Sequence, residues 1–106
     1  MRRGEVWWAE LPKPVGRRPV LLLSRDKAIE VRDFVTVAEI TRTVRHIPTE
    51  VSLGRDGGLP ESCVVNLDVV NTIPKKLLAE YLSTMKASKM EAVEKSLKFA
   101  LNLSPL

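Results

Sequence analysis

Arginine and threonine side chains are concentrated at the predicted ends of two strands. Arg17 and Arg18 begin one apolar strand, and the segment Thr41–Arg45, with the sequence TRTVR, follows another. A guanidinium group can donate two parallel hydrogen bonds to phosphate oxygens, and a threonine hydroxyl can add a further one. If the two strand ends lie on one rim of a sheet, these side chains converge on a site suited to a phosphodiester group.

The charge of the chain favours a polyanionic partner. Lys and Arg number 17 against 13 Asp and Glu, which gives a net charge of +4 and a pI near 9.5. The first 55 residues hold eleven basic and seven acidic side chains, whereas the remainder holds six of each, and every arginine lies in the first part. Because the planar guanidinium matches phosphate geometry better than lysine does, the N-terminal half is the more suited to a polyanion.

Several common kinds of site are absent from the sequence. The single cysteine, Cys63, and the single histidine, His46, allow no intrachain disulfide and provide too few ligands for the usual zinc sites. There is no Gly-rich phosphate loop and no Cys/His pair. The longest apolar run, Val20–Leu23, is far shorter than a membrane span, and the N-terminus has no signal-peptide core. The sequence therefore predicts a cytoplasmic protein that needs no metal or other cofactor.

The pattern of apolar and turn-forming residues predicts one mainly β domain over residues 1–106. A chain of 106 residues with 44% hydrophobic side chains has the usual size and composition of a single domain. Five or six short strands favour a small barrel, and GRDGG at 54–58 is a turn by composition. The strands are expected at Gly4–Leu11, Arg18–Ser24, Phe34–Thr41 and Pro48–Leu53, with one or two more between Ser62 and Ile73.

The sequences of two of these strands predict which of their residues are buried. Arg18–Ser24 contains the unbroken run VLLL, which predicts a central strand buried on both faces and joined to Gly4–Leu11 by a hairpin. Phe34–Thr41 alternates apolar and polar residues, so either Val35 and Val37 or the opposite set should face the core.

Helices are expected in three places. Arg25–Arg32 suits one helical turn, and Pro74–Leu78 suits a short helix with proline at its first position. Near the C-terminus, Ser88 and Glu91 have the spacing of a capping box, and an apolar stripe expected to pack on the sheet follows. The stripe consists of Met90, Val93, Leu97, Ala100 and Leu101.

Five other residues have structural interpretations that outweigh chemical ones. His46 is the single histidine but lies in a basic connector, which favours a phosphate contact or simple exposure over proton transfer. Trp7 and Trp8 point to opposite faces of one strand, so one is expected in the core while the other is available to stack on a base or fill an interface. Thr49 and Cys63 are expected to be structural, Cys63 as a small buried residue.

The order of four segments resembles the MazF/PemK family of toxin–antitoxin ribonucleases. RRGEVWWAELP and GRRPVLLLSRD are similar to the first two strands of family members. VTVAEITRTVRHIPTEVSL carries the Ile-Thr and later Pro-Thr typical of the family, and MEAVEKSLKFALNL resembles its closing helix. The similarity covers nearly the whole chain in the family's order.

The resemblance implies both a fold and an activity. Members are small SH3-like β-barrels of the MazF, CcdB and Kid type with a C-terminal α-helix, and they usually form homodimers. They cleave single-stranded RNA at short sequences without a metal ion, and an antitoxin protein inhibits them by occupying the RNA groove. By resemblance, the chain is expected to be a sequence-specific mRNA interferase, with transfer or ribosomal RNA as alternative targets.

The resemblance also assigns roles to individual residues. The family's catalytic arginine falls on Arg18, and its catalytic threonine falls on Thr41. The guanidinium would stabilise charge on the phosphate as the neighbouring 2′-hydroxyl attacks, and Thr41 would orient the reacting groups because a hydroxyl is a poor general base. DNA should then be inert, and the product should be a cyclic phosphate or 3′-phosphate. RNA-binding roles are expected for Arg17, Arg25, Arg42, Thr43, Arg45, His46 and Asn71.

Two other functions remain open from the sequence. A toxin of the same fold can inhibit DNA gyrase through protein contacts, as CcdB relatives do, without cutting RNA. A non-catalytic barrel that binds nucleic acid would use the N-terminal arginines equally well, and its binding would weaken as salt rises.

Overall fold

The alternating strands pair into an antiparallel sheet with a helix packed on it. The computed structural model describes residues 1–55, 58, 59 and 61–103. The helices and strands within these residues are β1 (Glu5–Glu10), β2 (Arg17–Leu22), α1 (Asp26–Val31), β3 (Phe34–Thr41), β4 (Glu50–Leu53), β5 (Cys63–Pro74), β6 (Leu78–Thr84) and α2 (Ala87–Ala100), with a 3-10 turn at Lys75–Leu77.

The strands form a curled half-barrel in the order β4-β5-β3-β2-β1-β6. Each strand is antiparallel to its neighbours, and the predicted β1–β2 hairpin is confirmed. In the centrally placed β2, Val20, Leu21 and Leu22 are fully buried. Leu21 packs in one hydrophobic cluster and its two neighbours in another, so the prediction that this strand is buried on both faces is confirmed.

Burial changes from one face of β3 to the other along its length. Val35 and Val37 belong to the cluster that includes Ile29 of α1, whereas Ala38 and Ile40 belong to the cluster on which α2 packs. Both sets that the alternation offered are therefore buried, one at the start of the strand and one at its end. The change occurs because the curled sheet is covered on opposite faces at its two ends.

The pairing of β2 brings its first residues beside the end of β3. Val20 lies opposite Glu39 in the β2–β3 pair, and Arg18 lies opposite Ala9 in the β1–β2 pair. The β2–β3 pairing ends at Val20 and Glu39, and beyond it the first residues of β2 and the end of β3 line one pocket. The two strand ends therefore meet, as predicted from the sequence.

The β segments expected between Ser62 and Ile73 form one strand, β5, in agreement with one of the two predicted alternatives, and its pairing with β3 is irregular between Ala38 and Glu39. The second half of the sheet differs from the sequence prediction in two ways. The strand β6 was not predicted. It lies at the edge of the sheet and most of its side chains are exposed, so it lacks the alternation that marks a half-buried strand. Pro74 ends β5 and precedes the 3-10 turn, so proline does not occupy the first helical position.

The turn at 54–58 is described only in part. Asp56 and Gly57 lie outside the described residues. Gly58 donates its backbone N–H to the carbonyl oxygen of Arg55 and has a φ of +77°, a conformation that favours glycine. A Cβ atom at this position would also lie 2.9 Å from Cβ of Ser83 in β6.

The C-terminal helix is confirmed, but its predicted cap is wrong. α2 begins at Ala87 with Lys86 as N-cap, and no side chain caps it, so Ser88 lies inside the first turn. The start is fixed by the backbone, because Met85 donates its N–H to the carbonyl oxygen of Gly4.

The predicted apolar stripe is correct except at its last residue. Val93 is fully buried, and Met90, Leu97 and Ala100 pack against the core. Leu101 is 57% exposed and lies one residue beyond the end of the helix at Ala100.

Candidate functional site

A pocket of about 580 Å³ lies where β2 begins and β3 ends. Its arginines and threonines come from these two strand ends, Glu61 and Leu59 come from the loop before β5, and the other apolar walls include β1, the hairpin loop and the start of β5. The lining residues are Trp8, Val15, Arg17, Arg18, Pro19, Ile40, Thr41, Arg42, Thr43, Leu59, Glu61 and Cys63.

Arg18 has no charged partner within the described part of the chain. It is partly buried, and it lies opposite Ala9, whose small side chain leaves room for the arginine stem. Its Nε atom is shielded from solvent and has no hydrogen-bond partner. Arginine is rarely buried unless it is paired, so an unpaired guanidinium at the wall of a pocket is suited to an incoming anion.

The Thr41 hydroxyl is oriented by the backbone two residues further along the chain. Its Oγ1 atom accepts a hydrogen bond of 3.1 Å from the backbone N–H of Thr43, a local bond typical of threonine at a strand end. A hydroxyl that accepts one hydrogen bond still has its own proton to donate. Thr41 can therefore donate to an oxygen atom of a ligand that also contacts Arg18.

Arg17, in contrast, is fully engaged by its neighbours. Its guanidinium forms ion pairs with Glu10 and, at 3.3 Å, with Glu80. It also lies over the ring of Trp8, with Cζ 5.0 Å from the ring centroid. The two adjacent arginines thus differ, because Arg17 is neutralised while Arg18 is available.

Arg42 is paired with an acid inside the same pocket. Its Nη1 atom donates a 2.7 Å hydrogen bond to Oε2 of Glu61. This hydrogen bond and the charge of Glu61 raise the pKa of the exposed Arg42 guanidinium above its ordinary value. The pair is preformed. It leaves the Oε1 atom of Glu61 and the other guanidinium N–H groups of Arg42 available to a ligand in the pocket.

The structure brings together five of the nine residues predicted to act on RNA. Arg17, Arg18, Thr41, Arg42 and Thr43 line the pocket.

The other four predicted residues, Arg25, Arg45, His46 and Asn71, do not line this pocket. Arg25 precedes α1 on the surface. The backbone N–H groups of Arg45 and His46 both donate to Oε1 of Glu50, at 2.9 and 3.0 Å, and leave their side chains exposed. The side-chain amide of Asn71 donates to Glu39 at 3.2 Å.

The residues that the sequence did not single out are the acid and the apolar walls of the pocket. Glu61, Val15 and Leu59 lie in loops, where no strand periodicity predicts which way a side chain points. Trp8 was foreseen as one of two tryptophans, and the alternation along β1 decides between them. Trp7 packs on the core and donates its indole N–H to Glu5, whereas Trp8 lines the pocket.

Thr49 and Cys63, which are expected from the sequence to be structural, are both buried. Thr49 is buried and donates its hydroxyl to Asp68 at 2.7 Å, which ties the residue before β4 to β5. Cys63 is buried at the start of β5.

Within residues 1–55, 58, 59 and 61–103, no group of three His, Cys, Asp or Glu side chains is arranged to hold a metal ion. No helix in the described part of the chain has the length and apolarity needed to cross a membrane.

Known proteins of similar sequence match this chain over almost its full length. A sequence model described as "PemK-like, MazF-like toxin of type II toxin-antitoxin system" matches residues 2–101. The probable endoribonuclease MazF5 of Mycobacterium tuberculosis is 39% identical over 104 residues, which make up 96% of this chain and 94% of that protein.

Solved structures of similar shape support the same grouping. The Mycobacterium tuberculosis toxin MazF-mt6 has a TM-score of 0.89 and 34% identity, with coverage of 95% of this chain and 99% of that one. An endoribonuclease in complex with its cognate antitoxin, from Mycobacterial species, has a TM-score of 0.88 and 28% identity, with coverage of 100% and 99%. The predicted fold class, a small SH3-like barrel with a C-terminal helix, is confirmed by these matches.

Proposed function

The chain belongs to the PemK-like, MazF-like toxin family of type II toxin–antitoxin systems, and we propose that its pocket around Arg18 and Thr41 is where it cuts single-stranded RNA. The family and the curated relative make the chain a toxin endoribonuclease. The proposal concerns the residues that act, the chemistry of the cut and the partners.

The unpaired guanidinium of Arg18 is the observation that carries the proposal. Arg17 and Arg42 line the same pocket but have carboxylate partners, whereas Arg18 has none within the described residues. A preorganised cation that does not first have to break an ion pair with a carboxylate is the group best able to stabilise new negative charge on a phosphate. Thr41 lines the same pocket and has a hydroxyl proton to donate.

The reaction that fits these groups is attack by the RNA's own 2′-hydroxyl. The 2′-oxygen forms a bond to phosphorus, the bond to the 5′-oxygen breaks, and the products are a 2′,3′-cyclic phosphate and a 5′-hydroxyl. One proton leaves the 2′-hydroxyl and one reaches the 5′-oxygen. Arg18 stabilises the charged phosphorane, and Thr41 holds the 2′-hydroxyl or a phosphate oxygen in line, so the cut needs no metal ion.

The same reasoning extends to the partners and the setting of the toxin. We propose that residues 1–106 form one toxin domain, that two copies form a homodimer, and that a cognate antitoxin inhibits it by covering the RNA groove. The relative solved with its cognate antitoxin supports that partner. The target is messenger RNA in the cytoplasm, where cutting would stop translation.

Incubation of the purified protein with a long single-stranded RNA in EDTA tests the proposal. A matching DNA and the Arg18→Ala variant are run in parallel, and the cut sites and end groups are mapped. We expect cuts at one short sequence with cyclic phosphate ends, none in DNA, and far slower cutting with the variant. Intact RNA would overturn the proposal and favour gyrase inhibition or simple nucleic-acid binding, whereas cutting by the Arg18→Ala variant at the wild-type rate would overturn the role of Arg18.

A further inference from the structure

The pocket that holds the phosphate-binding groups also contains an acid. Among the described residues that line it, Glu61 is the one carboxylate. A carboxylate repels phosphate, so its presence in a pocket for RNA needs another explanation. Its Oε2 atom accepts from Arg42, and its Oε1 atom has no partner among the described residues.

Fold stability does not explain the Arg42–Glu61 pair. The two side chains are 76% and 60% exposed, and ion pairs of that exposure contribute little to folding. The pair joins the residue directly after β3 to the segment directly before β5, and both residues face the pocket. The position of the pair in the pocket therefore indicates a role in binding a ligand, not a role in stabilising the fold.

The pair offers a specific order of hydrogen-bonding groups. Arg42 has guanidinium N–H groups that the bond to Glu61 does not use, and each carboxylate oxygen has two lone pairs. Side by side, the two residues present a donor followed by two acceptors. Guanine presents the complement on its Watson–Crick edge, with the O6 acceptor followed by the N1–H and N2–H donors.

The other RNA bases match this order less well. Adenine and cytosine each place an unprotonated ring nitrogen beside their amino group, and that nitrogen would face a carboxylate oxygen. Uracil has one N–H between two carbonyl oxygens, so when Arg42 donates to one carbonyl, the other carbonyl faces a carboxylate oxygen that it repels. The apolar walls formed by Trp8, Pro19 and Leu59 offer surface against which a base splayed from the strand can pack.

We propose that Arg42 and Glu61 together recognise a guanine next to the phosphate that is cut. The inference rests on the proposed function, since it assigns the base read in the same pocket. Arg42 donates to O6, and Glu61 accepts from N1–H and N2–H. The pair is already formed in the free protein, so no side chain has to be reordered when the base enters.

Cut-site mapping on an RNA pool with a randomised central segment tests this assignment. The wild-type protein is compared with Glu61→Gln and with Glu30→Gln, which removes the same charge from α1, where Glu30 pairs with Lys27 at 3.6 Å outside the pocket. An oligonucleotide carrying the preferred cut site is also made with inosine in place of guanine, because inosine lacks the N2 amino group.

We expect a guanine at a fixed position beside the cut for the wild type and Glu30→Gln. Loss of a bidentate base contact is expected to lower kcat/KM for the guanine substrate about 10- to 100-fold in Glu61→Gln. The inosine substrate should be cut more slowly than guanine by the wild type, but at nearly the same rate as guanine by Glu61→Gln.

Two kinds of outcome would overturn the assignment, and they can be told apart. Cutting at sequences without guanine, or an unchanged preference in Glu61→Gln, removes the guanine contact and leaves the ribonuclease intact. Absence of any cut in the wild type removes the proposed function and the base contact with it.

Discussion

The two ends of the β2–β3 pair differ in how completely their polar groups are satisfied. At the end near α1, Leu23 donates its N–H to Thr36, and Thr36 donates its own N–H to the hydroxyl of Ser24. The Thr36 hydroxyl is bonded to that of Thr72 at 2.9 Å. At the pocket end, Arg18 has a shielded Nε atom with no acceptor among the described residues.

This difference separates groups that fold the chain from groups held for a ligand. Buried polar groups are normally hydrogen-bonded because leaving one unpaired costs stability. The end near α1 follows this rule within the chain, whereas the pocket end departs from it at the residue that the family resemblance assigns to catalysis. Substitutions at the two ends should therefore separate loss of activity from loss of stability.

Replacement of Arg18 by alanine should have the largest effect on activity. Loss of a preorganised donor to the transition state typically lowers kcat by about 100- to 1000-fold. Single-turnover cleavage of an RNA oligonucleotide measures the rate, and the thermal midpoint measures folding. The midpoint should not fall, because the side chain gives up no ion pair within the described residues.

Arg32→Ala is the matched control for that change. Arg32 is an exposed arginine at the other end of the pair, directly after α1. Removing it lowers the net charge equally and should leave the cleavage rate unchanged. Equal losses in the two variants would mean that overall charge, and not the position of Arg18, supports cleavage.

Thr41→Val should have the next largest effect. Valine keeps the shape of the strand residue but removes the hydroxyl, and a hydrogen bond to a charged group contributes about 1.5–3 kcal/mol. The cleavage rate should fall about 10- to 100-fold, and Thr41→Ser should restore most of it because the hydroxyl returns. A Thr41→Ser rate as low as that of valine would contradict a role for the hydroxyl.

The sequence predicts the first part of the site well because strand periodicity determines it. Alternation along Phe34–Thr41 and the apolar run after Arg18 predict the strands, and their antiparallel pairing brings both strand ends to one pocket. The roles of these two residues came from the family resemblance, since arginine and threonine at strand ends are usually surface residues. The local pattern of apolar and polar residues therefore predicts where Arg18 and Thr41 lie, but it does not predict what they do.

The sequence does not predict which arginines of the pocket are paired with carboxylates. Arg17 and Arg18 are adjacent and identical in type, yet Glu10 and Glu80 neutralise Arg17, whereas Arg18 has no charged partner among the described residues. Glu80 belongs to the edge strand β6, which alternation did not reveal because most of its residues are exposed. Contacts between residues 63 positions apart depend on the folded sheet and have no local signal.

Ser24→Ala should affect stability and leave cleavage unchanged. The substitution leaves the partly buried N–H of Thr36 without its acceptor, which costs about 1–2 kcal/mol. For a domain of this size, each 1 kcal/mol lowers the thermal midpoint by about 4–8 °C. Cleavage measured well below the midpoint should match the wild type, and a lowered rate there would mean that the two ends of the strand pair are coupled.

Arg45→Ala should have the smallest effect of the series. Arg45 is exposed outside the pocket, so its contact with RNA would be electrostatic and independent of the cut site. Binding to an oligonucleotide with a 2′-deoxy cut site, which cannot react, should weaken only a few-fold, and the slope of log affinity against log salt should fall by about 0.7. The cleavage rate at saturating RNA should not change, because the arginine does not contact the reacting phosphate. A loss of that rate comparable to Arg18→Ala would instead mean that the loop after Thr43 closes over the bound RNA, and the active site would then extend beyond the pocket.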